Sequence, residues 1–299
     1  MRNRTILIIG NRGQLGSALV KELSNFQVMA IGRPDLDMLR NTSISRAIDF
    51  YNPGLVINAA AYTDVDGAEV DNKNALQVNA RAVKHLGKLS NNKKFGLIHY
   101  STDYVFDGTK KSPYIETDKT NPINFYGKSK LLGEQYLQKI GGSSVIFRTS
   151  WVYSLTHQCF ATKVLQWANS GKKLSIVDDQ ISSPTWANLL AGYTAKIIEK
   201  SKNEWFEFFQ EYHGLYHFAG RGKSSRFEWA EKILKINRDL LGGPDIIIDP
   251  GKSSDFPSPA IRPEYSVLDS SKFETTFGYS IPSWEESLEM AFKEKRTMS

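Results

Sequence analysis

Cysteine is nearly absent from this chain of 299 residues, with Cys159 standing alone. A single thiol can close no intrachain disulfide and build no Cys-rich zinc site, so the chain fits a reducing compartment. Cys159 itself reads as a packed core thiol. Long apolar runs are missing as well. Arg2 and Arg4 precede Ile6-Leu7-Ile8-Ile9, but Gly10 stops that run short of the ~7 residues of a signal-peptide core. Nothing approaches the ~18 apolar residues of a membrane span, so no membrane insertion is expected. Dense runs of Lys and Arg, internal repeats and low-complexity tails are also lacking. The net charge of +6 therefore suits an anionic small molecule, and no nucleic acid is expected as partner. What remains is a cytoplasmic globular protein, 40% hydrophobic and 23% charged, long enough for one dominant domain and a smaller lobe.

Residues 5–9 read as a strand buried on both faces. They run straight into Gly10-Asn11-Arg12-Gly13-Gln14-Leu15-Gly16, followed by a helix over Ser17 to Leu23. A strand, a turn with little side chain and a helix N-terminus together suit the diphosphate of a dinucleotide, because the phosphates can then approach backbone N–H groups. The glycines fall at i, i+3 and i+6, a spacing different from G-x-G-x-x-G. A second strand over 27–31 ends at Gly32-Arg33. An acid at this place holds the ribose 2′-hydroxyl of NAD, whereas Arg33 and Arg12 favour the 2′-phosphate of NADP(H), with NADH as the alternative. Asp37 is expected at the adenine end.

Ile44 to Tyr51 reads as a helix stopped by Asn52-Pro53, and Leu55 to Ala61 as a strand running out into small residues behind the cofactor ribose. Asp64, Asp66 and Glu69 lack the His or glycine-centred loop of a metal site, and no metal is expected there. Asn74 to Ser90 is the longest helix by its apolar stripe. Asn79 within it is either a packing asparagine or part of the site. The next strand, Leu97 to Tyr100, delivers Ser101-Thr102-Asp103 at its C-terminal end, where open parallel sheets bind ligands.

Tyr126 and Lys130 follow on a helix and share one face. An unperturbed phenol titrates near ~10, so a neighbouring ammonium that stabilises the phenolate makes a useful proton relay. Val145 to Thr149 is a further strand, with Trp151 just beyond it. Four strand ends, near Gly10, Ala60, Thr102 and Thr149, thus converge on one rim.

The second half is less regular: helix 160–170, strand 174–177, a polar loop over 178–185, helix 186–200 and an aromatic, acidic stretch 204–212 expected as an insertion or lobe contact. Strand 215–218, helix 226–236 and a proline-rich loop 250–263, expected as a lid, complete it. The fold class is α/β: a Rossmann-type doubly wound parallel sheet with a smaller mixed α/β substrate-binding domain. Residues 1–150 form the NADP(H)-binding part, joined by segments near 160–180 and 215–220, and residues 151–299 form mainly the substrate part.

Gly10-x-x-Gly13-Gln14-Leu15-Gly16, Asn58-Ala59-Ala60-Ala61-Tyr62-Thr63, Ser101-Thr102-Asp103-Tyr104-Val105-Phe106, Tyr126-x-x-x-Lys130, Arg148-Thr149-Ser150-Trp151-Val152-Tyr153 and Arg262-Pro263 occur in this order. Together they resemble the dTDP-4-dehydrorhamnose reductases, a branch of the extended short-chain dehydrogenase/reductases, from the first strand to about residue 269. The resemblance implies NADPH-dependent reduction of the C4 ketone of dTDP-4-dehydro-beta-L-rhamnose. It puts cofactor contacts on Gly13, Gln14, Leu15, Asp37, Ala61, Tyr62, Thr63, Tyr126 and Lys130, and sugar contacts on Thr102, Asp103 and Trp151. Tyr126 would donate the proton, Lys130 would stabilise the phenolate and hold the nicotinamide ribose, and Thr102 would polarise the carbonyl. Arg262 is the candidate for the substrate diphosphate.

Two segments depart from the family pattern. Ile181-Ser182-Ser183-Pro184-Thr185 stands where relatives usually carry Phe-Gly before the small residue and Pro-Thr, and Tyr265 stands where they usually have asparagine. Both bear on the identity of the sugar. Some relatives join subunits through Mg2+ held by surface carboxylates. Ala18 occupies one such position, so that metal is not expected, and the chain is taken as a monomer or homodimer. Alternatives are a reductase or epimerase of a different nucleotide sugar, and a non-catalytic regulatory subunit with the same fold.

Overall fold

The computed structural model describes residues 4–169, 174–238 and 248–298; Arg2 and the expected helix end at Ser170 lie outside them. Six strands, numbered here in chain order, form one parallel sheet: β1 Ile6–Ile9, β2 Val28–Ile31, β3 Leu55–Asn58, β4 Gly96–Thr102, β5 Ser144–Thr149 and β6 Gly214–His217. Their order across the sheet is β2-β1-β3-β4-β5-β6. The chain leaves β1 for β2 on one side and then crosses to β3 on the other. Connections on either side of that reversal run to opposite faces and leave a crevice at the C-terminal ends of β1 and β3.

The continuous apolar runs have a direct structural cause. In a strand successive side chains point to opposite faces, and here both faces are covered. Ile6, Ile8, Leu55, Ile57, Ile98, Val145 and Phe147 enter one core, whereas Leu7, Ile9, Val56, Leu97 and Ile146 enter the other. Each such aliphatic side chain contributes roughly 1.5–3 kcal/mol on burial. The first core also takes Ala161 and Val164 of the helix Phe160–Ala168. Strand Leu174–Val177 instead pairs with Ile248–Gly251 in a separate small sheet, so Pro250 sits in a strand and not in the expected loop. The stretch expected as an insertion is a core helix, Trp205–Glu211, whose Trp205 and Phe209 are buried. No helix among the described residues is long and apolar enough to cross a membrane.

The helix Phe125–Ile140 carries Tyr126 and Lys130, and its position is fixed at four points. Asn124 caps it by accepting a hydrogen bond from Gly127 N at 2.8 Å. At Gly127 a Cβ would lie 2.1 Å from the carbonyl oxygen of Tyr104, so the helix touches the loop after β4 through bare backbone. Across it runs the segment 72–93, helical throughout but with a π turn at Gln77–Arg81. Asn79 lies in that turn, buried, and accepts from Tyr62 N at 2.8 Å while donating to Tyr62 O at 3.0 Å and Ser129 Oγ at 2.9 Å. Of the two readings of Asn79, the packing one describes these contacts: it ties the loop after β3 to the Tyr126 helix.

The fourth point is ionic. Glu134 receives Arg148 Nε at 3.0 Å and a terminal nitrogen at 2.7 Å, both side chains almost fully buried. The other guanidinium nitrogen lies 3.3 Å from His217 Nε2, and His217 Nδ1 lies 2.9 Å from Tyr114 O. Burial, and then the Arg148 charge, lower His217 to about 3, so it is neutral, donates through Nδ1 and accepts at Nε2. Breaking a buried pair from one side strands the remaining charge and costs about 3–5 kcal/mol. Arg148→Met is therefore expected to lower the unfolding free energy by that amount in urea titrations, with Glu134→Gln similar. A loss under 1 kcal/mol would contradict this role.

Candidate active site

A cavity of ≈ 800 Å³ opens along the C-terminal ends of β1, β3, β4 and β5. At one end lie Gly10, Arg12, Gly13, Gln14 and Leu15, with Arg33, Leu36 and Met38 beside them. Gly10 adopts φ +95°, and a Cβ on it would sit 2.8 Å from Ala60 N. Only glycine turns the chain this tightly against the end of β3. Gly16 does not line the cavity; a Cβ there would lie 2.0 Å from Gly10 O, so this glycine packs the helix onto the turn. The helix Gln14–Glu22 begins at Gly13 with no side-chain cap and no acid in its first turn, leaving its N–H groups and partial positive charge for an anion. Arg12 and Arg33 are both exposed on this rim.

Not every expected residue comes to the wall. Asp37 points away: its carboxylate accepts from Leu39 N at 3.0 Å and faces Arg40 at 3.5 Å, while the flanking Leu36 and Met38 line the cavity. Turns on both sides fix this loop, Leu36 N donating to Gly32 O at 3.0 Å and Arg40 N to Asp37 O at 3.1 Å, and the carboxylate is used within the second turn. Ala61 and Thr63 line the cavity, whereas Tyr62 between them is held through its backbone by Asn79. His157 and Gln158 also line it, and His157 Nε2 lies 3.3 Å from Arg12 O. No motif announced these two, because they sit in an irregular loop.

Tyr126, Lys130, Thr102, Asp103 and Trp151 converge at the other end. The Tyr126 phenol is pushed up by burial, with the nearby Thr102 hydroxyl working against that rise. Burial lowers Lys130 to about 8, opposed by the Glu134 carboxylate one turn along. Its Nζ donates to Tyr100 O at 2.5 Å and lies 3.5 Å from His99 Nε2. The ammonium is thus anchored on β4 and not on the phenol. Trp151 follows β5 at φ +41°, a left-handed conformation that bulky residues rarely adopt. Packing must hold it there, and its ring stacks on Trp229 at 5.8 Å between centroids.

Three polar atoms on this wall, Gln14 Oε1, Ser101 Oγ and Thr149 Oγ1, are buried with no hydrogen-bond partner among the described residues. Buried polar groups are ordinarily satisfied, so the cavity is lined for a polar ligand. A long molecule with phosphates at the Gly13 end and a polar ring at the Tyr126 end fits these groups.

A family model, RmlD substrate binding domain, matches residues 4–297. The chain belongs to this family. It is 38% identical over 284 residues to the dTDP-4-dehydrorhamnose reductase of Burkholderia thailandensis, covering 93% of this chain and 95% of that one. The Escherichia coli K12 enzyme of the same name is 34% identical over 287 residues, covering 94% of each. Among solved structures, the Bacillus anthracis dTDP-4-dehydrorhamnose reductase in complex with NADP is similar at TM-score 0.89 and 31% identity, covering 98% of this chain and 99% of that one.

Within this RmlD-family site the expected substrate arginine is already engaged. Arg262 donates to Asp66 at 2.8 Å, Ser258 Oγ at 2.7 Å and Ala260 O at 3.1 Å. Asp66 is consequently a loop anchor, while Asp64 caps the helix Val65–Val70 and Glu69 accepts from Phe125 N. Asp179 binds Ser253 N and Oγ at the other end of the expected lid, so the loop is pinned at both ends.

The two departures from the family pattern meet. Ile181 N donates to Glu264 O at 2.7 Å and Ser266 N to Ile181 O at 2.8 Å, which brings Ser182 and Ser266 together on Asp103. Asp103 Oδ2 accepts from Ser182 Oγ at 3.1 Å and Ser266 Oγ at 2.5 Å, and Oδ1 from Thr102 at 3.0 Å. Burial nevertheless raises the Asp103 carboxyl to about 6, despite these donors. Its folded value exceeds its unfolded one, so the ionised side chain costs stability above about pH 6, and protonation relieves that cost as pH falls toward 4. Asp103→Asn is accordingly expected to unfold at higher temperature than wild type at pH 7.5, by roughly 1–3 kcal/mol in stability, with the difference closing by ~pH 4. An equal or lower melting temperature at pH 7.5 would contradict a strained carboxylate.

Proposed function

We propose that this chain is a dTDP-4-dehydrorhamnose reductase that converts dTDP-4-dehydro-beta-L-rhamnose to dTDP-L-rhamnose with NADPH. The observation that carries the proposal is the meeting of Tyr126, Thr102 and Lys130 beside a cavity whose far end has an uncapped helix N-terminus and two exposed arginines. NADPH, when bound, supplies hydride to C4 of the keto sugar. Gly13, Gln14 and Leu15 hold its diphosphate, Arg12 and Arg33 its 2′-phosphate, and Ala61 and Thr63 the middle. Asp37 and Gly16 act indirectly, shaping the turns on which those groups sit.

Tyr126 gives its proton to the carbonyl oxygen. Its burial keeps the phenol protonated at neutral pH, the form that a reduction needs. Thr102 polarises the same carbonyl by turning its single O–H from Asp103 Oδ1, to which it donates at 3.0 Å, toward the oxygen beside the phenol. Lys130 spends one N–H on Tyr100 O and lines the cavity, where it serves the ribose hydroxyls. Asp103 and Trp151 hold the sugar. Residues 1–150, with β6, form the cofactor part and residues 151–299 mainly the substrate part of a cytoplasmic monomer or homodimer.

Tyr126→Phe keeps the ring and removes only the transferable proton. It is expected to bind NADPH normally and to lose at least ~10²-fold in kcat, read as NADPH oxidation with dTDP-4-dehydro-beta-L-rhamnose; near-normal turnover would remove Tyr126 from this role. Arg33→Gln is expected to raise KM for NADPH about tenfold and leave KM for NADH unchanged, since only the 2′-phosphate contact is lost. Equal effects on both cofactors would assign Arg33 elsewhere.

A second reading keeps the chemistry and changes the sugar. It rests on Ser182 and Ser266, which bracket Asp103 from the two departing segments. A panel of 4-keto nucleotide sugars decides it: faster turnover of one that differs at C2, C3 or C5 would favour this reading.

A further inference from the structure

Arg226 opens the helix Arg226–Ile236. Its guanidinium carbon lies 3.7 Å from the ring centroid of Trp151 and 5.0 Å from that of Phe160. Its charge and that of Arg262 both act on the Tyr104 phenol and on each other. Two guanidinium groups converging on one phenol repel each other. Of the two, Arg262 is neutralised by Asp66 at 2.8 Å. Arg226 has no carboxylate in ion-pair contact among the described residues, and it remains partly exposed. Asp103 acts on it only through space.

Cation–π contact explains part of this placement, being worth ~0.5–2 kcal/mol. It does not explain why two cations are gathered at one hydroxyl, an arrangement that costs energy unless an anion completes it. The chemistry of the ring supplies the direction. In a hexopyranose C1 and C4 stand opposite each other, so a sugar with C4 at Tyr126 and Thr102 carries its anomeric phosphate away from them. Trp151 and Asp103, the residues read above as sugar contacts, line the cavity with Tyr126, and Arg226 lies over the Trp151 ring.

We propose that Arg226 is the binding residue for the diphosphate of the nucleotide sugar, with Arg262 as a positioning residue that holds the loop 253–263 beside it. This rests on the reading of the chain as a nucleotide-sugar reductase and moves the diphosphate contact from Arg262 to Arg226. Its guanidinium takes phosphate oxygens through two parallel N–H groups while its face stays on Trp151. The ring thereby couples the diphosphate to the position of the sugar.

The test measures binding of dTDP, thymidine and NADPH to wild type, Arg226→Gln and Arg226→Lys by calorimetry. Arg226→Gln is expected to weaken dTDP at least tenfold, with Arg226→Lys intermediate, because a point charge replaces part of a fork. Thymidine, which carries no phosphate, and NADPH, which reports an intact fold, are expected to bind each variant as they bind wild type. Unchanged dTDP affinity overturns the proposal. So does a parallel loss of dTDP and thymidine, the signature of a prop for Trp151 alone. If wild type prefers UDP or GDP to dTDP, the thymidine part of the function reading fails, and the same ratio is read with the preferred diphosphate. Binding of no nucleoside diphosphate by wild type overturns both.

Discussion

The site depends on one close approach: the helix Phe125–Ile140 meets the backbone of Tyr104 with no side chain between them, at Gly127. A helix normally stands off its neighbour by the thickness of two side-chain layers, with axes 8–10 Å apart. Removing that layer at one residue lets Tyr126 come to Thr102 on the adjacent strand end. Everything else on the helix is consistent with holding that contact. Gly133 repeats the device against Asn79 O, where a Cβ would lie at 2.2 Å. Glu134 locks the far turn to β5 through Arg148, and Asn124 locks the near one.

Burial then sets the protonation states. The same enclosure raises the phenol of Tyr126, lowers the ammonium of Lys130 to about 8 and raises the carboxyl of Asp103 to about 6. All three shifts disfavour charge, and desolvation leads each of them. A poorly solvated pocket end of this kind strengthens every dipole aimed at the carbonyl oxygen as it gains negative charge. It also costs stability, most plainly at Asp103, whose three hydroxyl donors only partly offset its burial.

The sheet was legible from sequence because double-sided burial writes itself as unbroken apolar runs, as at Ile6–Ile9 and Leu55–Asn58. Tyr126 and Lys130 were legible because both lie on one helix face, and Thr102 because it ends a strand. The stretch around Trp205 was not, since an aromatic and acidic composition does not say which side is buried; Phe209 against Gly96 decides it. Asp37 misses the wall although Leu36 and Met38 on either side line it, because its carboxylate accepts from Leu39 N in the following turn. The cage around Asp103 joins residues 79 and 163 positions away, and Arg226 meets Trp151 across a similar span. No local pattern carries such contacts, because hydroxyls and a helix-opening arginine look alike whether they face solvent or a carboxylate.

The central claim is that Tyr126, with Thr102 and Lys130, supplies the proton to the C4 carbonyl oxygen of a dTDP-linked 4-keto sugar while NADPH supplies the hydride to C4. Its most direct test follows one atom: wild-type protein, dTDP-4-dehydro-beta-L-rhamnose and NADPH deuterated at nicotinamide C4 on the transferred side, with the product analysed by mass spectrometry and NMR. The account predicts one deuterium, located at C4 of dTDP-L-rhamnose. Product without deuterium at C4, or no product while other 4-keto nucleotide sugars also stay unreduced, would contradict it.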